Sequence, residues 1–307
     1  MLILVASALL WSDLGAQTKQ EDIPRLPGAQ LLVGWPGYKL LLTTPKETRT
    51  LQEKEHGSTP IPSMSRDGTL IASGRVVKCC EPRVLILQTY SVEQKKWTDY
   101  KKIERGGGAV YISPDGSKLA LARDERGEDF PVRVYFIDLK TGIESASPVI
   151  GSDNPRAVSW SPDGSRIAYY MFPSKLSGRP SIHILDIRSG KITNIVDGEG
   201  PAWSPSGEWI AYFDVSRYQV WLVHPDGTGS KLLLTLGKRW LFLGLRSMQR
   251  GFGLAPVWSP DSKTLLLNEI ASGEMSTYDI HLLDLSTLKM TRKFKNTMPV
   301  YAWADAK

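Results

Sequence analysis

The sequence predicts an all-β fold, a six-bladed β-propeller whose blades are four-stranded antiparallel sheets. Three observations predict it: five copies of one strand–turn–strand segment, a second strand pattern that follows four of them, and a half-repeat at each end of the chain. The chain has 307 residues, 41% hydrophobic and 23% charged, which is the composition of a folded protein with a large core. No helical apolar period competes with the strand pattern.

The first repeat is a strand, a tight turn and a second strand. Its copies are PSMSRDGTLIAS (62–73), VYISPDGSKLALA (110–122), VSWSPDGSRIAYY (158–170), PAWSPSGEWIAYF (201–213) and PVWSPDSKTLLLN (256–268). The leading turn serines lie 48, 48, 43 and 55 residues apart, at Ser65, Ser113, Ser161, Ser204 and Ser259. A period in the forties is typical of one propeller blade. In the turn, proline presets φ, aspartate caps the backbone and glycine accepts positive φ, which favours a hairpin.

The second repeat supplies the outer strands of each blade. Its copies are VRVYFIDLKTG (132–142), SIHILDIRSG (181–190), YQVWLVHPDGTG (218–229) and YDIHLLDLSTL (278–288). One repeat position holds Tyr135, His183, Trp221 and His281. A position that accepts tyrosine, tryptophan and histidine is typical of strand packing.

The two ends of the chain predict a sixth blade that they share. The C-terminal PVYAWADAK resembles PVWSPDSK, and residues 29–52 resemble the remaining strands of a blade. The last blade would then take its inner strand from the C-terminus and its outer strands from the N-terminus. Such closure removes the open sheet edges of an incomplete ring.

The first residues indicate export. Residues 1–16 have the form of a signal peptide, with an apolar run and a small-residue cleavage site at Leu14-Gly15-Ala16, although no Lys or Arg precedes the run. A mis-assigned start or a buried terminal strand are the alternatives. We therefore expect a signal peptide over 1–16, a linker over 17–28 and a propeller over 29–307, in a periplasmic or secreted protein. No apolar stretch reaches 18 residues, so we do not expect an integral membrane protein.

Charge and cysteine content exclude several classes of partner and cofactor. The net charge of +6 is scattered, with no long Lys/Arg run, so we expect no nucleic-acid partner. The two cysteines, Cys79 and Cys80, are adjacent and cannot join distant segments. A metal site would need further ligands at matching spacing, so we expect no metal and no cofactor.

The repeated W-S-P-D-G block, followed by I-A-Y and by an I-x-x-L-D strand, resembles the repeat of TolB-like six-bladed β-propellers, a WD40-like repeat. The resemblance covers nearly all of residues 29–307. It implies the propeller fold and, through the periplasmic Tol–Pal component of the family, a role in the cell envelope. In TolB itself an α/β domain precedes the propeller; the residues before position 29 are too few for one, so we do not expect that domain here.

Motifs of catalysis are not found in the sequence. There is no Gly-x-Ser-x-Gly pentapeptide, no HExxH and no Walker loop, and the Ser-Pro-Asp-Gly serines are turn residues. The pair His183 and His281 shares one repeat position, which favours packing over a metal site. We therefore predict no catalytic residue.

Binding is expected where the repeat symmetry breaks. The irregular segments 122–133, 171–181 and 235–256 share the face opposite the Ser-Pro-Asp-Gly turns, and loops on a rigid scaffold often carry function. The longest segment combines cationic and aromatic side chains typical of interface anchors. The predicted binding residues are Lys238, Arg239, Trp240, Phe242, Arg246 and Arg250. The alternative is an elongated outer strand in which the Trp-Leu-Phe-Leu run is buried.

Two functions remain open at this point. The first is a monomeric, non-catalytic scaffold that binds a protein partner in the cell envelope or periplasm. The second is a propeller enzyme, a hydrolase or lyase, whose site lies at the mouth of the central channel and is built from residues far apart in sequence.

Overall fold

The structure is a computed structural model, and every regular element it describes is a β-strand. The described residues are 23–34, 39–52, 61–78, 84–104, 109–124, 132–151, 156–172, 178–236, 255–270 and 278–305. Over these residues we find no helix of the length and apolar character needed to cross a membrane.

The strands are numbered in chain order and form six antiparallel sheets, the blades, of four strands each. Blades 1 to 3 contain β4 (Ser63–Met64), β5 (Leu70–Lys78), β6 (Val84–Ser91), β7 (Lys96–Glu104); β8 (Tyr111–Ile112), β9 (Lys118–Asp124), β10 (Val132–Asp138), β11 (Glu144–Ala146); and β12 (Arg156–Trp160), β13 (Arg166–Met171), β14 (Ser181–Asp186), β15 (Ile192–Asp197). Blades 4 to 6 contain β16 (Glu199–Trp203), β17 (Ile210–Asp214), β18 (Gln219–Val223), β19 (Lys231–Thr235); β20 (Val257–Trp258), β21 (Thr264–Ile270), β22 (Tyr278–Asp284), β23 (Met290–Thr297); and β24 (Val300–Ala304), β1 (Ala29–Gly34), β2 (Lys39–Thr43), β3 (Thr48–Gln52).

Blade 6 closes the ring by pairing the two ends of the chain, as the half-repeats predict. Its strand order is β24-β1-β2-β3, and β24 pairs antiparallel with β1 so that Ala29 lies opposite Ala304. The segment before β1 is held to this blade, because the indole Nε1 of Trp303 donates to the Pro27 carbonyl at 2.5 Å. Leu26 is buried against blades 5 and 6, so the end of the predicted linker packs on the propeller.

Both faces of every blade are apolar, and six hydrophobic clusters fill the six interfaces between neighbouring blades. Alternate residues of one strand face opposite neighbours: in β13, Ile167 and Tyr169 pack toward blade 2, whereas Ala168 and Tyr170 pack toward blade 4. Complete burial of a large apolar side chain stabilises the fold by roughly 1.5–3 kcal/mol. The ring of interfaces is therefore the core of the protein.

The Ser-x-Asp-Gly turns are built by their own side chains. In blade 3, Ser161 Oγ donates to Asp163 at 2.5 Å and accepts the Arg166 amide at 2.9 Å, and the same bonds recur at Ser65, Ser113 and Ser259. All five leading serines are buried. These serines are structural, as the sequence predicts.

The closing junction should be sensitive to added volume. Gly28 and Gly164 both have positive φ, but a Cβ on Gly28 would fall on the carbonyl oxygen of Ala304, whereas a Cβ on Gly164 meets nothing within 4 Å. Gly164→Ala should cost about 1–2 kcal/mol for its backbone conformation alone. Gly28→Ala should cost about 1–3 kcal/mol more in urea unfolding, because the joined strands must shift. Equal losses would contradict closure by this pairing.

The turn aspartates should make stability depend on acid. Hydrogen bonds from Ser161 and then Ser165 lower the pKa of Asp163 to about 2, and those from Ser286 and Thr287 lower the pKa of Asp284 to about 2. Because the folded state favours the ionised form, this stabilisation is complete above the unfolded pKa of about 3.8 and is lost as the pH falls toward 2.

In urea unfolding followed by tryptophan fluorescence, Asp163→Asn should lower the free energy of unfolding at pH 7. The decrease in that free energy between pH 4 and pH 2 should be smaller in the variant than in the wild type. The matched control is Glu93→Gln, which removes an exposed carboxylate outside these turns. It should change neither the free energy of unfolding at pH 7 nor its dependence on pH. An unchanged pH slope in Asp163→Asn would show that the turn bonds do not favour the ionised form.

Candidate functional site

The innermost strands of all six blades surround a central channel with a cavity of ≈ 270 Å³. Each blade supplies at least one aliphatic or methionine side chain to the wall, among them Met64, Ile112, Val158, Ala202, Val257 and Val300. Tyr111, Trp160, Trp203, Tyr301 and Trp303 add aromatic surface. Prolines of four Ser-Pro turns, Pro114, Pro162, Pro205 and Pro260, also contact the cavity. The channel therefore offers mainly apolar and aromatic surface.

Bonds between neighbouring innermost strands fix the channel wall. Ser63 Oγ donates to the Val110 carbonyl at 3.0 Å and accepts the Ile112 amide at 2.7 Å, which joins blades 1 and 2. In blade 5, the indole Nε1 of Trp258 donates to the Ala202 carbonyl of blade 4 at 2.9 Å. The wall is thus held by side chains that cross from blade to blade.

The two tyrosines of the channel resist ionisation. Burial raises the pKa of Tyr111 to about 12, against the effect of a hydrogen bond with the Val158 backbone. Burial also raises the pKa of Tyr301 well above its ordinary value. Both phenols therefore stay neutral at physiological pH and can donate hydrogen bonds to a bound group.

Among the described residues that line the channel, Arg66 is the one charged side chain, and there is no carboxylate or imidazole. General acid–base catalysis needs titratable groups positioned on the reacting atoms. The described wall can contact the apolar or aromatic parts of a ligand, and its tyrosine hydroxyls can donate hydrogen bonds to polar parts. It brings together no acid–base pair.

The predicted binding residues Lys238, Arg239, Trp240, Phe242, Arg246 and Arg250 lie outside the described residues, as do the predicted signal peptide and Cys79 and Cys80. The structure does describe the two ends of the connection that carries the predicted binding residues. It leaves blade 4 after Leu236, which is buried and whose amide donates to the Tyr218 carbonyl at 2.6 Å, and it returns at Ala255. The binding prediction stays a prediction.

The shared face of the turns is confirmed by bonds within the blades. The amide of Leu139, in the turn after β10, donates to the Ser117 carbonyl in the turn before β9, and Ile187 and Leu285 make the same bond in blades 3 and 5. The connections between second and third strands, and between blades, consequently leave from the opposite face.

The repeat-position histidines lie in different blades. His183 accepts or donates a hydrogen bond with Ser181 at 2.9 Å and stacks on Tyr169, and burial lowers its pKa. His281 in blade 5 instead contacts a carboxylate, with 2.9 Å between its Nε2 and Glu269 Oε2. Repeat alignment does not identify this contact, because Glu269 belongs to a different strand.

Relatives in sequence cover part of the chain. The chain is 32% identical over 126 residues to an uncharacterised protein of Agrobacterium fabrum, a match to 38% of this chain and 40% of that protein. It is 28% identical over 131 residues to a TolB homolog of Chlorobium luteolum, a match to 41% of this chain and 26% of the homolog. The matches thus span less than half of either relative. No protein-family model matches the chain.

Solved structures share the fold over most of the chain. TolB from Acinetobacter baumannii superposes with a TM-score of 0.68 at 16% identity, covering 90% of this chain and 66% of that one. A chain of a nidogen/laminin complex gives 0.62 at 11% identity, covering 89% and 96%. An oligogalacturonate lyase in complex with manganese gives 0.52 at 15% identity, covering 87% and 72%. Because one fold serves a protein complex and an enzyme, the fold alone does not assign an activity.

The Ser-x-Asp-Gly repeats, the six four-stranded blades, the blade shared by the chain ends and the TolB matches in sequence and structure agree with one another. The chain is a six-bladed β-propeller whose fold is similar to that of TolB.

Proposed function

We propose that the protein is a non-catalytic scaffold that binds a protein partner in the periplasm or outside the cell. The observation that carries the proposal is the channel wall, whose described residues are mainly apolar and aromatic and include no carboxylate or imidazole. The 131-residue match to a TolB homolog and the leader-like residues 1–16 support the location.

We place the partner on the face opposite the Ser-Pro-Asp-Gly turns. The long connection after β19 carries Arg239, Trp240 and Phe242, which are residue types that dominate binding energy at protein interfaces. Its two ends are held by the buried interface between blades 4 and 5, where Leu236 packs with Trp258. A rigid base of this kind lowers the entropic cost of presenting a binding segment.

The cationic side chains of this connection favour a partner with acidic side chains around an apolar centre. Lys238, Arg239, Arg246 and Arg250 would pair with carboxylates at the rim, while Trp240 and Phe242 fill apolar pockets. Such charges mainly increase the association rate and confer specificity. We propose a monomer as the binding unit, since one ring carries the whole surface.

The alternative function is an enzyme, a hydrolase or lyase, with its site at the channel mouth. The structural likeness to an oligogalacturonate lyase is a likeness of fold at 15% identity. Turnover of a polysaccharide or ester substrate by the purified protein, abolished by a substitution at the channel mouth such as Arg66→Ala, would favour the enzyme.

The scaffold proposal is tested by changing the proposed anchors together. In crosslinking and affinity purification of the exported protein, Arg239→Ala/Trp240→Ala/Phe242→Ala should reduce partner recovery at least about tenfold, because interface anchors contribute 2 kcal/mol or more each. Recovery should also fall as the salt concentration rises, since the rim charges are screened.

The matched control changes one arginine and two apolar residues that are exposed on the turn face, Ile143→Ala/Arg188→Ala/Leu288→Ala. This control should bind as the wild type does. If both triple variants retain the partner, the proposed face is wrong. If neither variant nor wild type binds any protein specifically, the scaffold proposal fails.

A further inference from the structure

Three potential metal ligands converge on one face of blade 5. Glu269 of β21 lies directly opposite Asp279 of β22 in the antiparallel register, and His281 follows Asp279 by two residues. Residues two apart on a strand point to the same side, and directly opposed residues share a side as well. The sheet itself therefore places the two carboxylates and the imidazole together.

The cluster is compact and removed from solvent. Asp279 is 8% exposed and His281 7% exposed, and the Glu269 side chain is 14% exposed. His281 Nε2 lies 2.9 Å from Glu269 Oε2, and one ligand atom from each residue lies within 4.8 Å of the others. One ion at about 2.0–2.2 Å from each donor would need only small side-chain adjustments.

The three side chains supply donor atoms of two kinds. Each carboxylate offers oxygen atoms, and the imidazole offers a lone pair from a ring nitrogen that carries no proton. A divalent cation could use all three residues as ligands.

The cluster breaks the symmetry of the propeller. Blades 2, 3 and 4 have paired positions in the same strands, and those positions hold no such combination. The corresponding residues are Arg123, Arg133 and Tyr135 in blade 2; Met171, Ser181 and His183 in blade 3; and Asp214, Gln219 and Trp221 in blade 4. A requirement of the fold would recur from blade to blade, whereas this combination of ligands does not.

We propose that Glu269, Asp279 and His281 form a binding site for a first-row divalent transition metal such as Zn²⁺ or Mn²⁺. An imidazole nitrogen with carboxylate oxygens suits these ions, whereas Ca²⁺ and Mg²⁺ prefer sites of oxygen ligands alone. The three residues are not among those that line the central channel. It replaces the sequence-based expectation of no metal, which weighed His281 only against His183 of another blade.

The proposed ion would act as a clamp between two strands. Glu269 stands near the end of β21 and Asp279 near the start of β22, so the ion would join the strands where the connection 271–277 leaves and returns. Three protein ligands leave further coordination positions for water. Binding to the folded state alone would also stabilise the propeller.

The test titrates metal into the full chain after EDTA treatment and dialysis, followed by calorimetry and native mass spectrometry. We expect one equivalent of Zn²⁺ or Mn²⁺ per chain, and a rise in Tm of about 5 °C at a hundredfold excess over Kd. Co²⁺ should show visible bands that report coordination by the protein. Glu269→Gln and His281→Gln should each weaken binding at least about tenfold.

The matched control is His183→Gln, a histidine at the same repeat position whose neighbours are Ser181 and Tyr169. It should bind metal as the wild type does. Circular dichroism checks that each variant folds, and Glu269→Gln decides the matter if His281→Gln does not fold. Lack of a stoichiometric site, equal affinity in the folded ligand variants, or preference for Ca²⁺ or Mg²⁺ would overturn the proposal, whatever the result of partner capture.

Discussion

The fold depends on the burial of two apolar faces by every blade. A four-stranded sheet with one exposed apolar face would aggregate, and each blade here needs a neighbour on both sides, so the ring must close. Gly28 and Ala304 are in contact where the chain ends join. Leu31, on the strand that follows, packs in one hydrophobic cluster with Ile71 of blade 1. Closure therefore completes the interfaces of blades 5, 6 and 1, whose faces would otherwise lie open.

The same constraint limits which side chains the described channel wall can present. Innermost strands must hold neighbouring blades together, as Ser63 and Trp258 do, and their side chains are committed to these bonds and to packing. Positions with a free choice of residue lie on the connections and at strand ends. Function is then expected where the repeat is interrupted, and the insertion after β19 and the Glu269 cluster are both such interruptions.

Much of the fold could be predicted from the sequence, because similar residues form the same strand–turn–strand unit in most blades. Ser161 and Asp163 build their turn by local bonds, so the motif alone predicts the hairpin. Placing Tyr111 and Tyr301 in one channel, or Glu269 beside His281, requires the register of strands and the closure of the ring. The spacing within β22 indicates that Asp279 and His281 share a face. Glu269 comes from the neighbouring strand, and local sequence patterns do not reveal which residue of that strand lies opposite.

The interface between blades 4 and 5 brings the two interruptions to one region. Leu265 and Leu267 of β21 belong to the cluster that buries Leu236, the last described residue before the long connection. Glu269 follows Leu267 by two residues and so continues the same face toward the edge where that connection leaves. A cation held there would lie at the end of the hydrophobic interface, where apolar packing gives way to polar side chains. It would stiffen the blade that anchors the proposed binding segment without contributing a contact to the partner. The two proposals can therefore be tested separately even though their residues share one interface.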